Sequence, residues 1–239
     1  MGVVSRTFRA LDLLLAPPLC PACEEALASE HEDGRVCPKC DAETARLPER
    51  RCALCGAPLD TFLEECSECV QSPRVWTAGT CAFPYDGPAG DWIRAYKYGG
   101  RTAFAPFFAR EMAAAWKAHR GFCRPEVVVP IPLHWTRRLA RGFNQSALLA
   151  QMLAQMLGME YVPALKRIHA TAHQARLAGS SRLQNLRRAF AVCDADAVRG
   201  RCVLVVDDVF TTGATFTAAC QVLLEAGAAE TAVLAIARS

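Results

Sequence analysis

The sequence predicts an α/β domain with a parallel sheet flanked by helices, preceded by a small cysteine-rich module. In the second part of the chain, short apolar runs such as residues 203–206 alternate with longer segments of helical periodicity. An unbroken apolar run is typical of a strand that is buried on both faces of a parallel sheet. Alternating strands and helices imply right-handed crossovers, and ligands of such sheets bind beyond the carboxyl ends of the strands.

The elements of this domain are predicted from the spacing of apolar residues and from the residues that end each segment. Helices are expected over residues 90–98, 103–117, 144–157 and 213–226, and Gly158 and Gly227 end the last two. Strands are expected over residues 126–132, 201–206 and 231–237.

The length of 239 residues suits one medium domain and one small one, which we place at residues 79–239 and 1–78. Residues 6–16 predict a short packing helix and not a cleaved leader, because Asp12 interrupts the apolar run and two prolines follow it. No apolar run reaches the ~20 residues that span a membrane. We therefore expect a soluble, cytoplasmic protein without membrane insertion.

Eight of the 13 cysteines fall into four CxxC pairs, which are Cys20/Cys23, Cys37/Cys40, Cys52/Cys55 and Cys66/Cys69. This spacing is typical of metal ligands and not of a disulfide framework, and it favours a reducing compartment. Two CxxC turns complete one tetrahedral site, so the module is expected to hold two closed, structural Zn²⁺ sites. The spacing leaves open whether successive pairs share a metal or the pairs interleave. The remaining cysteines are expected to be small buried hydrophobes: Cys81, Cys123, Cys193, Cys202 and Cys220.

The net charge of +3 combines regions of opposite sign. Residues 1–75 contain 8 basic and 13 acidic residues, whereas residues 94–188 contain 16 basic and 3 acidic residues. A concentrated positive field attracts phosphates, either on a small molecule or on a nucleic acid. The alternative is a solvated basic surface, which is less typical when so many of the residues are arginines.

Residues 207–215 combine carboxylates, hydroxyls and a glycine where a predicted strand gives way to a predicted helix. The adjacent carboxylates of Asp207 and Asp208 suit the paired hydroxyls of a ribose. Gly213 permits close approach of the backbone, and the free N–H groups of a helix start favour a phosphate. The segment is not a Walker A loop, because the GxxxxGK[ST] pattern is absent.

This segment resembles the phosphoribosyl-pyrophosphate (PRPP) motif of type I phosphoribosyltransferases. A second stretch, Pro130-Ile131-Pro132-Leu133, continues through Arg137-Arg138 to Arg141-Gly142-Phe143-Asn144-Gln145. Together with Tyr96-Lys97-Tyr98-Gly99-Gly100, Gln174 and the CxxC pairs, the order of these features resembles the ComF family of competence-associated proteins. The resemblance extends over nearly the whole chain.

The resemblance implies a type I phosphoribosyltransferase-like fold that binds PRPP or a ribose 5-phosphate together with Mg²⁺. Asp207 and Asp208 would be the candidate catalytic residues and would hold the ribose hydroxyls. The 5′-phosphate would lie on the loop formed by Thr211, Thr212, Gly213, Ala214 and Thr215. Basic groups for the pyrophosphate would come from Lys97, Arg137, Arg138 and Arg141. For Lys97, a solvated lysine at a helix end is the alternative. Residues 170–188 match the position of the mobile hood of such folds, and a surface helix is the alternative for this segment.

Three functional hypotheses remain open at this point. The first is a transferase that displaces pyrophosphate from PRPP with an unidentified acceptor; Thr211 stands where purine-salvage relatives carry an acid, which argues against purine salvage. The second, implied by the ComF resemblance, is a protein that handles single-stranded DNA during natural transformation, with aromatic residues such as Trp135 and Phe143 stacking on bases. The third is an adaptor whose zinc module docks a DNA-translocating ATPase. The second and third are compatible, and we favour a DNA-uptake role that retains PRPP binding.

Overall fold

The computed structural model describes residues 18–27, 35–60, 62–119, 123–133, 142–168 and 189–239. The expected helix at residues 6–16 and the expected hood at residues 170–188 lie outside this part of the chain. The helices are α1 (Pro38–Ala42), α2 (Ser67–Gln71), α3 (Pro88–Tyr98), α4 (Ala105–Lys117), α5 (Gln145–Leu157) and α6 (Ala214–Glu225), with a 3₁₀ turn at Thr102–Phe104. The strands are β1 (Ala78–Pro84), β2 (Val127–Pro130), β3 (Glu160–Tyr161), β4 (Leu165–Arg167), β5 (Phe190–Val192), β6 (Cys202–Phe210) and β7 (Glu230–Arg238).

Five of the strands form a parallel sheet in the order β1-β7-β6-β2-β3, and β4 pairs with β5 in a small antiparallel ribbon. Side chains of a strand alternate between its two faces. Leu204 and Val206 of β6 therefore join one core, while Val203 and Val205 join the other. Both faces are covered, which confirms the predicted parallel sheet flanked by helices.

The first face packs against α3, α4 and α5 through a group of interlocking aromatic rings. These rings are Phe83, Trp92, Tyr96, Phe104, Phe107 and Phe108, with centroids 5.6 to 6.3 Å apart. The second face packs against α6, the β4–β5 ribbon and part of the cysteine module. Burying one such phenylalanine stabilises a fold by about 1.5–3 kcal/mol, so the aromatic group is a main source of stability on the first face.

The short strands β3, β4 and β5 were not predicted, and two of the longer strands also differ from the predictions. The strand predicted to end at residue 206 continues to Phe210, because β7 pairs with it as far as Phe210↔Arg238. Strand β1 was not predicted, since its alanines and Gly79 have low strand propensity. It forms because β7 supplies a parallel partner along its whole length. Sheet pairing therefore overrides the local sequence in both strands.

Among the residues that the structure describes, no helix combines the length and the apolar character required to cross a membrane.

Candidate functional site

Asp207 and Asp208 lie near the carboxyl end of β6, within the strand and not in the loop after it. The Oδ1 atom of Asp207 accepts hydrogen bonds from Ser146 Oγ and from the backbone N–H of Asp208, both at 2.9 Å. Burial, together with the neighbouring Asp208 carboxylate, raises the pKa of Asp207 to about 7. The two carboxylates therefore differ in their surroundings although they are adjacent in sequence.

The partner of Asp208 is Lys97, on the last turn of α3. Lys97 Nζ lies 2.7 Å from Asp208 Oδ1, and each side chain is only 14% exposed. The structure thus places Lys97 in a half-buried ion pair at the end of β6, and the alternative of a solvated lysine is wrong. An ammonium group so placed partly neutralises the two aspartates.

A hydrogen-bond network fixes the helix ends that carry these partners. Tyr96 Oη donates to the carbonyl of Gln145 at 2.9 Å, and the Gln145 side chain donates to the carbonyl of Lys97 at 3.4 Å. Asn144 caps α5 by accepting from Ser146 N–H, and its amide donates to Ile131 O. The end of α3, the start of α5 and the end of β2 therefore meet beside the two aspartates.

The predicted phosphate loop, residues 211–215, connects β6 to α6. Gly213 adopts the left-handed conformation (φ 79°) and directly precedes the helix. The first N–H groups of a helix have no partner within the helix, so this end of α6 can receive an anion. Thr212 Oγ1 already accepts from Ala214 N–H at 3.4 Å. The loop follows directly on Asp207 and Asp208, so the structure brings the loop, both aspartates and Lys97 to one edge of the sheet.

Arg137, Arg138 and Arg141 lie outside the described residues, as do Gln174 and Trp135. Among the described residues, a cleft of about 500 Å³ opens between the end of β2 and the start of α5. Its lining combines prolines with Phe143, Asn144 and Gln151. The cleft adjoins the start of α5, where Ser146 donates its hydrogen bond to Asp207.

The eight paired cysteines form two groups of four. The first ribbon is built around Cys20, Cys23, Cys37 and Cys40, and the second ribbon around Cys52, Cys55, Cys66 and Cys69. Successive pairs share a site, so the interleaved arrangement is excluded. The sulfur atoms of each group lie within 4.8 Å of one another, which fits a tetrahedral Zn²⁺ ion with four thiolates. With four protein ligands, each site is closed and suited to a structural metal.

Both ribbons repeat one local design. In each, the first CxxC turn is enclosed by an isolated bridge, Leu19↔Ala26 in the first ribbon and Arg51↔Pro58 in the second. In each, the second CxxC pair begins a five-residue helix, with Cys37 or Cys66 as the residue before its first turn. The repeat explains why successive pairs meet, since each bridge and helix folds within a short stretch of chain.

A third group joins Cys123, Cys202 and Glu230 at the opposite edge of the sheet. The two sulfurs lie 2.6 Å apart, and Thr77 donates a hydrogen bond to Glu230. Cys123 and Cys202 are buried, as expected for small hydrophobes, but the fold also brings these two residues, 79 positions apart, into contact. Cys81 and Cys220 are buried as expected, whereas Cys193 is exposed.

Sequence reasoning also missed residues that surround the site. Ser146 directly follows the quoted Asn144-Gln145 motif, and that adjacency was the one signal for it. Arg74 and Arg238 donate hydrogen bonds to carbonyls of the phosphate loop. In the sequence, Arg74 lies 138 positions before its partner Thr212, and Arg238 lies 27 positions after its partner Thr211. Neither arginine belongs to a motif, so only the tertiary structure reveals them.

The fold and the site define a class of protein in which a double zinc ribbon precedes a five-stranded parallel sheet flanked by helices. A family model described as the double zinc ribbon domain matches residues 10–82. The DNA utilization protein YhgH of Escherichia coli K12 is 34% identical, with 95% of this chain and 100% of that protein covered. Competence protein F of Haemophilus influenzae is 29% identical, with 85% of this chain and 90% of that protein covered. The chain belongs to the ComF family.

Among solved structures, a glutamine PRPP amidotransferase from B. subtilis matches with a TM-score of 0.40 and 22% identity. The match covers 59% of this chain and 30% of that one.

Proposed function

We propose that this protein binds PRPP or a related ribose 5-phosphate with Mg²⁺ and acts in the handling of single-stranded DNA during uptake. The observation that carries the ligand proposal is the meeting of Asp207, Asp208, Lys97 and the phosphate loop at one edge of the sheet. Ligands of open parallel sheets bind at this edge. The reducing cytoplasm is the compartment that eight zinc-binding thiolates favour.

Each part of the ligand has a counterpart among these residues. The carboxylates would accept hydrogen bonds from the ribose hydroxyls, and the start of α6 would hold the 5′-phosphate. The pyrophosphate of PRPP would bring Mg²⁺, which prefers oxygen ligands from phosphates and carboxylates. Lys97, now paired with Asp208, and the arginines at positions 137, 138 and 141 would balance the added negative charge.

Calorimetry tests the ligand site. The wild-type chain should bind PRPP, and chelating Mg²⁺ should weaken the binding. Asp207→Asn combined with Asp208→Asn should abolish binding while the thermal melt still shows a folded domain. Asp196→Asn, which changes a 96% exposed side chain away from the loop, is the matched control and should bind like the wild type. Equal affinity in the double variant and the control would refute the site.

The DNA part of the proposal is supported by the 16 basic and 3 acidic residues between positions 94 and 188 and by the names of the relatives. Each phosphate that a basic side chain neutralises releases counterions, so the affinity for single strands should fall with salt, with a log–log slope of about −0.7 per contact. About four contacts would cost roughly a hundredfold between about 50 and 250 mM salt. Arg137→Ala or Arg141→Ala should flatten the slope, whereas Arg199→Ala, outside the basic stretch, should not.

The zinc module is proposed to dock a protein partner, a DNA-translocating ATPase. The support is a set of exposed apolar side chains within the module, namely Leu19, Phe62, Leu63 and Val70. Exposed apolar groups concentrated in one small module are typical of an interaction surface. Phe62→Ser should weaken binding to such an ATPase without loss of zinc, which pull-down and metal analysis would measure. Unchanged binding would remove this part of the proposal.

A phosphoribosyltransferase that acts on an unidentified acceptor is the second candidate. The observation that favours it is the raised pKa of Asp207, about 7, beside a second carboxylate, because perturbed pKa values concentrate at catalytic sites. Pyrophosphate release from PRPP and Mg²⁺, measured with and without DNA, distinguishes the two functions. Release with a small-molecule acceptor, together with no DNA binding at low salt, would favour the enzyme and remove the DNA role.

A further inference from the structure

We propose that the second zinc ribbon positions the phosphate loop, so that zinc in that ribbon is coupled to phosphate binding at the end of β6. Two arginines, Arg74 and Arg238, make the connection. Each donates hydrogen bonds to the ribbon at one end of its guanidinium and to a loop carbonyl at the other. The inference rests on the proposed function only where it concerns the ligand, since the connection itself is a property of the free protein.

Arg74 links a zinc ligand directly to the loop. Its Nε donates to the Sγ of Cys69 at 3.3 Å, and its Nη1 donates to the carbonyl of Thr212 at 3.0 Å. Its Nη2 lies 3.0 Å from a carboxylate oxygen of Glu68. The Arg74 side chain is only 6% exposed, whereas the side chain of Glu68 is 46% exposed. A planar guanidinium has donors fixed in a fork, and here that fork spans the ribbon and the loop.

Arg238, near the end of the chain, makes the parallel connection. Its Nη1 donates to the carbonyl of Thr211, and its Nη2 donates to the other oxygen of Glu68, both at 2.5 Å. The guanidinium lies 4.8 Å from the ring centre of Phe210, and the side chain is 11% exposed. The two arginines therefore hold two successive carbonyls of the loop and share one carboxylate.

Glu68 lies between two zinc ligands, Cys66 and Cys69, in the last CxxC turn of the second ribbon. The position of its carboxylate is therefore set by the turn that the metal closes. Groups that hydrogen-bond to a metal's ligands orient those ligands, and the ligands in turn orient the groups. Loss of zinc would free this turn, and both arginines would lose their anchor on the ribbon at once.

The direction of the loop carbonyls decides where the loop amides face. In a trans peptide the C=O of one residue and the N–H of the next point in opposite directions. Because the carbonyls of Thr211 and Thr212 are held toward the ribbon, the N–H groups of Thr212 and Gly213 point away from it. Backbone N–H groups aligned in this way form the concave donor surface that receives phosphates. The ribbon thus arranges the donors without touching the ligand.

The loop also packs closely on the ribbon side. A Cβ added at Gly213 would lie 2.9 Å from Phe210 Cζ, 3.1 Å from Trp76 Cη2 and 3.2 Å from Arg74 Nη1. Trp76 in turn donates to the carbonyl of Leu54 in the second ribbon at 2.6 Å. Within the described residues, the first ribbon has no such contact with the loop: its Arg46 bonds to Asp41 and to Glu111 of α4 instead.

Arg74→Met is the test variant, and Arg46→Met is the matched control, since both arginines join a ribbon to the sheet domain. Hydrogen exchange of the free protein, followed by mass spectrometry, should show residues 211–217 exchanging several-fold faster in Arg74→Met. The control and the wild type should exchange alike over residues 211–217, and residues 148–157 of α5 serve as an internal reference in all three. Arg74→Lys should restore little, because an ammonium group cannot span three acceptors. Metal analysis should give two zinc ions per chain in every variant.

The affinity for PRPP should fall about tenfold or more in Arg74→Met and stay unchanged in Arg46→Met, since a hydrogen bond from a charged group is lost behind the loop. If Arg74→Met does not fold, Glu68→Gln, which keeps both arginines and all eight cysteines, decides by the same exchange measurement. If residues 211–217 exchange as slowly as in the wild type in whichever of these two variants folds, the proposal is overturned. If the wild type does not bind PRPP but the loop exchanges faster in Arg74→Met, the ligand proposal fails and the positioning role stands.

Discussion

Glu24 in the first ribbon and Gly56 in the second take the same place after a CxxC turn, and both adopt a left-handed backbone conformation (φ 63° and 73°). The first ribbon accommodates glutamate there because the side chain is exposed. In the second ribbon a Cβ at position 56 would lie 2.9 Å from the backbone nitrogen of Cys81. The same metal-binding turn is therefore open to substitution in one ribbon and pressed against β1 in the other.

The contacts that attach the ribbons to the sheet domain follow the same division. The first ribbon packs a few apolar residues against α3 and α4 and adds an exposed ion pair between Glu24 and Arg101. The second ribbon uses backbone groups, because Gly79 N–H donates to Ala53 O at 2.8 Å. A Cβ at Gly79 would come within 2.3 Å of Leu54 O. Two ribbons with one zinc chemistry thus differ in how rigidly they are joined to the site.

Removing one ligand from each ribbon gives the largest expected contrast. Cys52 and Cys20 are both fully buried, so Cys52→Ser and Cys20→Ser are matched variants. Each should reduce the zinc content from two ions to one, and structural zinc contributes on the order of 10 kcal/mol to local folding. In Cys52→Ser the melting temperature of the whole chain should fall, because the second ribbon no longer packs against β1. In Cys20→Ser the melting temperature of the sheet domain should stay unchanged. Equal losses of melting temperature in both variants would show that the sheet domain depends equally on the two ribbons.

A methyl group at Gly56 tests the close contact itself. Gly200 has nearly the same backbone conformation (φ 71°) but no neighbouring atom within 4 Å of an added Cβ. Gly200→Ala should cost about 1 kcal/mol from the backbone alone. Gly56→Ala should cost that amount plus about 1–3 kcal/mol for overpacking. Urea denaturation measures both, and similar costs would mean that the ribbon can move away from β1.

The pH dependence of stability tests whether Asp207 keeps its raised pKa when the first ribbon is disturbed. Asp207 has its pKa raised to about 7, so the folded chain keeps a proton that the unfolded chain loses above about pH 4. Its ionisation therefore lowers stability as pH rises toward and through 7. Asp207→Asn should raise the melting temperature more at pH 8.5 than at pH 6, and Cys20→Ser should not change that difference. A constant difference across this range would refute the raised pKa.

The smallest expected contrast concerns one carboxylate in each ribbon. Glu68→Gln weakens the ion pairs with two nearly buried arginines. It should lower the free energy of unfolding by about 1 kcal/mol, a figure reduced because solvent screens the half-exposed carboxylate. Glu24→Gln removes an exposed pair and should cost less than about 0.5 kcal/mol. Chemical denaturation at low and moderate salt measures both. A larger cost at Glu24 would show that the first ribbon depends on its ion pair.

Much of the fold could be predicted from local patterns. The apolar run at residues 203–206 indicated a buried strand, and helix α5 lies within one residue of its predicted bounds because Asn144 and Gly158 cap it. Strand β1 could not be predicted, since its alanines and Gly79 form a strand only through pairing with β7. The prediction succeeded where local chemistry and tertiary structure agreed.

The sequence by itself determined the zinc ligands and the outline of the loop site. A CxxC turn presents two thiolates whatever surrounds it, and carboxylates followed by a threonine–glycine turn and a helix indicate an anion site from neighbouring residues alone.

Only the tertiary structure decided which residues far apart in the sequence come into contact. Arg74 lies 138 positions from Thr212, and Cys123 lies 79 positions from Cys202. The pairing of Lys97 with Asp208 likewise depends on how α3 packs beside β6. Contacts of this kind are set by the packing of whole elements against one sheet, and no local pattern of residues records which distant side chains that packing will bring together.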